Sequence, residues 1–413
     1  MSHSIQKTQI LILKLFEMDW IKKFNVDFWF FVIALAGFSV ASALAYFFSF
    51  DNPRFFSIPY RILVLLFSIV VIIKNFKLNK LKNISFLSLV IFWIFYIIKL
   101  NFSLSHDFYQ KDFLANANEL YIRIFLIILL PSIALLFIDY RKCNLYKVAQ
   151  YIYYVLLVML TINLIYGVLS PHENFAFSFI FMMYYISYGH LGATLAIISF
   201  FFLIFNEQKI PKYLLLYSLA LGIITIVVGT ARSPILALIV VFLYILIVKR
   251  KVKLIFFYFL AFITFLFSLF LYKKLDLHGV LFAERTYNWM FQGDNSLRTP
   301  LYTRAINIFK ENIIFGNRVL YEDGSYPHDI FLELLMGTGI VGVIIYFTKF
   351  YPVLIKIRKI FNAKENLIYI LYTSLFIQYF ILVLTSFSIF SVPEFLYYSS
   401  IIIGINLNNY EKT

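Results

Sequence analysis

His328, Asp329 and Glu333 stand close together in SYPHDIFLELLMGTGIVG (325–342), where a polar run gives way to an apolar one. These residue types can move protons. A histidine changes charge near neutral pH, so His328 suits a general base that takes a proton from a hydroxyl nucleophile. Asp329 falls where a helix would begin, and a negative charge there offsets the helix dipole by about 0.3–1 kcal/mol. Glu333 is one turn further on and on the same face. A carboxylate at that depth needs a partner, and an arginine from the same side of the membrane is the expected one.

Arginines supply the second half of the chemistry. Lysine outnumbers arginine along the chain, yet Arg285, Arg298, Arg304 and Arg318 gather in one segment, and Arg232 sits in the very short hairpin GTARSPIL (229–236). A guanidinium stays charged at physiological pH and grips phosphate through two parallel hydrogen bonds. Arginines grouped beside a membrane therefore point to a phosphate-bearing ligand at headgroup depth. Pairing with loop acids such as Glu322, or snorkelling to the interface, is the plainer use of any one of them.

The elements that must position these groups are membrane helices. Of 413 residues, 62% are hydrophobic and 14% charged. Apolar runs of the length that crosses a bilayer recur at about 28–48, 60–73, 84–102, 121–138, 148–168, 188–206, 213–230, 233–248, 254–272, 329–348, 366–387 and 394–407. The expectation is an all-α polytopic membrane protein of about twelve spans forming a single domain, 1–413. Of the 36 Lys and Arg, 23 fall on the segments that share a side with the N-terminus, which puts both termini in the cytoplasm. Basic runs such as KNFKLNKLK (74–82) then meet anionic lipid, and the net charge of +15 needs no nucleic acid. Residues 10–16 make a short apolar patch expected to lie on the membrane surface. Residues 273–327 form a long outer loop, within which PLYTRAINIFKEN (300–312) reads as a helix with an apolar stripe of Leu301, Ala305, Ile308 and Phe309.

Several chemistries find no support. The single Cys143 cannot form a disulfide within the chain, and the six histidines never take metal-ligand spacing, so neither a metal nor a cofactor is expected. GTGIVG (337–342) matches a dinucleotide fingerprint but follows no strand; Gly339 and Gly342 are expected to let a neighbouring helix or lipid tail approach. Ionisable groups are scarce in the middles of the spans, which argues against an ion-coupled transporter.

The stretch SLRTPLYTRAINIFKENIIFG (296–316), followed by HDIFLELLMGTGIVG (328–342), resembles the O-antigen ligase/polymerase superfamily of bacterial envelope enzymes. Arg298, Tyr302, Asn312 to Gly316, His328, Leu332, Glu333, Gly339 and Gly342 carry the likeness, and Arg232 in GTARSPILAL takes the place of an earlier arginine element. Asp329 departs from the usual Asn, Ile313 from a proline, Gly337 from an acid that is common there and Asn317 from a glycine. The resemblance implies glycosyl transfer at the periplasmic face of the inner membrane from a glycan linked to undecaprenyl pyrophosphate. Arg232 and Arg298 would hold the pyrophosphate with help from Arg304 and Arg285, and His328 would act on the acceptor hydroxyl. Glu333, beside Asp329, would hold an arginine or the imidazole, and Tyr302 and Tyr326 could stack on sugars. An O-antigen polymerase is the reading favoured here. The alternatives are a ligase that hands the glycan to lipid A core and, from another class, a flippase of lipid-linked oligosaccharide. A chain-length regulator and a flippase are the expected partners, besides membrane lipids.

Overall fold

The structure is a computed structural model. It describes residues 25–48, 54–105, 108–110, 117–169, 181, 183–205, 210–251, 253–256, 258, 263–264, 267–268, 271, 281–291, 298–362 and 367–405. The described residues are helix and connecting turn, without a β-sheet. Fourteen helices organise them: α1 Val26–Phe47, α2 Arg54–Asn75, α3 Ile84–Ser105, α4 Asn118–Phe137, α5 Leu145–Leu169, α6 Tyr185–Phe205, α7 Lys212–Gly229, α8 Arg232–Val248, α9 Leu281–Phe291, α10 Arg298–Glu311, α11 Ile330–Thr348, α12 Tyr351–Asn362, α13 Leu367–Thr385 and α14 Pro393–Gly404. Nine of them, α1 to α7 with α11 and α13, are long and apolar enough to cross a bilayer. This is a multi-pass membrane protein.

The twelve expected spans meet this architecture unevenly. The second is longer than its apolar run, because the helix continues through Pro59 down to Arg54. The eighth, α8, is apolar but shorter than the nine, and the twelfth, α14, has 12 residues. Most of 254–272 lies outside the described residues, as do the surface stretch 10–16 and parts of the long loop.

Apolar packing alone does not hold the bundle; the orphan polar groups of its helices are answered one by one. Pro131 has no N–H to give the preceding turn of α4, whose residues Arg123–Leu129 are wound as a π-helix. The Tyr397 hydroxyl donates to the Ile127 carbonyl there. At the end of the bundle away from residue 328, lysines meet carbonyls of α14 and of the residue that follows it. Lys349 donates to Leu396 O at 3.3 Å, and Lys356 to Ile402, Ile403 and Ile405 at 2.6–3.0 Å.

The feature that matters most for function is a break in α11. Gly339 has φ +63° and a non-helical ψ, which divides the helix into two halves. Broken backbone at membrane depth is tolerated only when protein satisfies it. Here the segment 312–317 does so: Ile340 and Val341 donate their amides to the carbonyls of Ile313 and Ile314 at 3.1 Å, and Asn317 N–H reaches Met336 O at 2.9 Å. The fit is close at two glycines. A Cβ on Gly316, itself at φ +68°, would lie 2.5 Å from the Gly337 carbonyl carbon. One on Gly339 would run into Ile314 O and lie 2.5 Å from Gly316 N. The space at Gly339 therefore admits this chain's own backbone, where the sequence suggested a helix or a lipid tail. Lys99, inside α3, donates to Gly316 O at 2.8 Å and ties the segment down. A groove of about 430 Å³ runs beside it, against Ile98 and Phe102.

The helix expected over 300–312 is present as α10. Its Leu301, Ala305 and Ile308 pack with Tyr321, Leu332 and Met336 as a small core of their own, so α10 lies across the first half of α11. Replacing Gly339 with alanine should cost roughly 2–4 kcal/mol, since it adds a side chain at positive φ and against backbone. The check is the thermal unfolding midpoint of the detergent-purified protein. An unchanged midpoint for Gly339→Ala would mean the 312–317 segment does not fill the break.

Candidate active site

The turn before α11 is built from Tyr326, Pro327, His328 and Asp329. Asp329 caps the helix, its carboxylate accepting from Leu332 N–H at 2.9 Å. Burial raises the pKa of this carboxyl above its ordinary value, and the amides of Leu332 and Phe331 oppose the shift. His328 is half-buried and has φ +61°, the left-handed region that costs a non-glycine residue about 1–2 kcal/mol. Strain of this kind persists only where surrounding contacts over-determine the backbone. Those contacts are the cap at Asp329 on one side and Tyr326 on the other, whose ring centroid lies 4.5 Å from the imidazole. Burial, and then the positive charge of Arg298, hold the His328 pKa below the usual histidine value. The imidazole is accordingly neutral at physiological pH and able to accept a proton.

Tyr326 is the centre of a wider cluster. Its hydroxyl is hydrogen-bonded by the Ser391 side chain, and burial, with the Glu333 carboxyl adding to it, pushes its pKa up to about 12. Arg123 and Tyr184 lie close enough for their charges to act on it as well. Arg123 opens the π-helical turn of α4 and pairs with Glu119 at 3.0 Å, while its buried Nε has no hydrogen-bond partner among the described residues. Its place among the site residues was not read from the sequence. The available signal was an arginine just inside the site-side end of an apolar run.

Glu333 is fully buried, and its partners differ from the expected arginine or imidazole. The Ser388 hydroxyl donates to Oε1, and the Ile389 amide donates to Oε2 at 3.1 Å. The carboxylate thus clasps the turn between α13 and α14. That same turn carries Phe390, whose ring lies 6.2 Å from that of Tyr326, and Ser391. Glu333 holds the wall behind the histidine.

The arginines divide into two groups. Arg304 and Arg318 both pair with Glu322, the latter at 2.8 Å; Arg304 also lies over the Tyr321 ring at 4.4 Å and Arg318 over Phe108 at 5.4 Å. Both tie the loop together through one acid, and Arg304, expected to assist with phosphate, is paired here with Glu322. Arg298, at the start of α10, is near enough for its charge to act on His328, and Tyr302 is half-buried one turn along the same helix. Arg285, on α9, donates to the Thr230 hydroxyl at 3.1 Å and lies 5.6 Å from the Tyr185 ring centroid. Thr230 closes α7 in the left-handed conformation, and Arg232, half-buried, opens α8 two residues later. Two clusters result: His328 with Arg298 and Tyr326, and Arg232 with Arg285 and Thr230. Consecutive residues at the start of α6 join them, Tyr184 facing the first cluster and Tyr185 the second.

A proton acceptor and fixed positive charge on one rim are the requirements for attack by a hydroxyl with departure of an anionic leaving group. No curated protein and no solved structure matches the chain. A family model described as O-antigen ligase matches residues 217–347, a segment that contains Arg232, Arg285, Arg298, Tyr302, His328, Asp329 and Glu333. The matched segment, less than half of the chain, is similar to the O-antigen ligase family.

Proposed function

We propose that this protein is a glycosyltransferase of the cytoplasmic membrane, acting at its outer face on glycans linked to a polyprenyl diphosphate such as undecaprenyl pyrophosphate. The observation that carries the reading is the left-handed His328 turn, packed against Tyr326 and within reach of the Arg298 charge, inside a segment similar to the O-antigen ligase family. A sugar hydroxyl of the acceptor gives its proton to His328 as its oxygen attacks the anomeric carbon of the donor. The bond from that carbon to the diphosphate breaks, and the diphosphate leaves with the electron pair. Arg298 and Arg232 stabilise the charge that gathers on it, which is where preorganised cations lower a barrier most. Arg285 orders the hairpin that presents Arg232.

The acceptor in this reading is a second lipid-linked repeat unit, which makes the protein an O-antigen polymerase. Its support is compositional: the chain is rich in Ile, Phe, Tyr, Lys and Asn, as products of AT-rich polysaccharide gene clusters often are. Transfer to lipid A core, the ligase reaction, uses the same groups. The orientation that puts the site outside follows from the lysines at the opposite end of the bundle.

Deleting the gene in its host and resolving the lipopolysaccharide on a gel separates these outcomes. Core carrying a single repeat unit is expected for a polymerase. Uncapped core, with long chains still on the carrier lipid, identifies a ligase, and an unaltered ladder removes both.

His328→Ala should lower transfer by roughly 10²–10⁴, the usual worth of a general base. Arg298→Ala and Arg232→Ala should each abolish chain formation at normal protein levels, whereas Arg304→Ala should act through lower thermal stability with chains still made. Full activity in His328→Ala would end its role as base.

The pH profile gives a signed check. His328 must be neutral to work, and its pKa lies below the ordinary value of about 6.5, so the acid limb of the rate should lie below that pH. Arg298→Gln removes a positive neighbour, so the pKa rises and the limb of the residual activity moves to higher pH. A limb that stays in place belongs to another group.

A further inference from the structure

Between α6, α8 and α13 lies a buried polar chain. His190, on α6, places Nε2 3.1 Å from the Ser233 hydroxyl in the first turn of α8. Gln378, on α13, donates its amide N–H to the His190 carbonyl at 2.8 Å and to the Thr194 hydroxyl at 2.9 Å. All four residues are buried, with His190 1% and Gln378 0% exposed. The neighbouring backbone is just as closely set. A Cβ on Gly189 would lie 2.9 Å from Pro234 Cγ, and one on Gly229 would lie 3.0 Å from Tyr185 O.

Polar side chains in a membrane bundle commonly join helices at large, and Thr194 and Gln378 do link α6 to α13. The His190 bond ends somewhere more particular. Its partner is the residue after Arg232, in the opening turn of an apolar helix whose first residue is that arginine. Small displacements of such a turn become displacements of the guanidinium, and a misplacement of about 1 Å at a reacting centre can cost on the order of 10²-fold. Both His190 and Gln378 lie outside the segment that matches the family model.

We propose that His190, held by Gln378, is a positioning residue for Arg232: by anchoring Ser233 it fixes the arginine that receives the donor diphosphate. This rests on the reading of Arg232 as a diphosphate ligand. The test uses the full chain in lipid nanodiscs and farnesyl diphosphate as the probe, with binding measured for the wild type, Arg232→Ala, His190→Leu, Ser233→Ala, Ser233→Thr and the double variant His190→Leu/Arg232→Ala. Arg232→Ala should weaken binding by about tenfold or more, the scale of one lost charge-assisted contact. His190→Leu and Ser233→Ala should each weaken it by about tenfold, Ser233→Thr should stay within about threefold of wild type, and the double variant should bind like Arg232→Ala alone, because coupled residues do not add.

Losses that multiply in the double variant, or unchanged affinity in His190→Leu and Ser233→Ala, overturn the proposal and leave the chain as a helix-to-helix contact. Should His190→Leu fail to fold, Ser233→Ala and its combination with Arg232→Ala carry the same comparison. If the wild type does not bind the probe, or Arg232→Ala binds it as well as the wild type, the diphosphate reading of Arg232 falls, and this proposal with it.

Discussion

Amide and carbonyl groups exposed by a broken helix cannot be left unpaired where water does not reach, and that constraint organises the functional end of this molecule. The break at Gly339 is filled by residues 312–317, and the 2.9 Å bond from Asn317 N–H to Met336 O closes it from the other side. The chain from Arg298 to Asp329 is therefore fastened to α11 twice, at the middle of the helix and at its own N-cap. Tyr321 adds a third attachment, its hydroxyl donating to Leu301 O at 2.5 Å while its ring fills the small core under α10. With both ends fixed, the last turn of the loop has little freedom left. A histidine can then be kept at positive φ, which an ordinary surface loop would relax.

Charge is distributed in two different ways at the two ends of the bundle. At the end away from His328, lysines answer helix carbonyls or pair with Asp27, as Lys74 does at 2.9 Å. These are structural cations, and their positions follow from the helix termini they serve. At the site end, the pairing is selective. Glu322 takes both Arg304 and Arg318, and the long loop folds around that triad, whereas Arg298 is placed where its charge acts on an imidazole. Burial disfavours protonation of His328, and a neighbour of like sign, Arg298, adds to that effect.

Periodicity and length carried most of the helices into view, because apolar runs and the Leu301, Ala305 and Ile308 stripe are local signals. The residue types at 232, 298 and 328 were also legible, since arginine on an otherwise lysine-rich chain and a histidine at a helix start stand out without a structure. Partners were not. Glu333 meets Ser388 and Ile389, which are 55 and 56 residues away and of types that no spacing rule selects. Lys99 passed unremarked within an apolar run because its acceptor is the carbonyl of Gly316, a group every residue possesses. The purpose of Gly339 was hidden for the same reason: what approaches it is backbone, and backbone leaves no mark in sequence.

The segment that matches the family model supplies most of the charges of the site but only part of its frame. Tyr184 and Tyr185 at the start of α6, Ser388 to Ser391 after α13, and the His190–Gln378 pair all fall outside residues 217–347, yet each touches or neighbours a residue inside it. Catalytic groups of this kind need only the right type at the right spacing, which short motifs preserve. Their relative placement depends on helices that approach from elsewhere in the chain, where many sequences satisfy the same packing. The start of α6 and the turn between α13 and α14, which border Tyr326, are therefore the parts of the wall that come from beyond the matched segment.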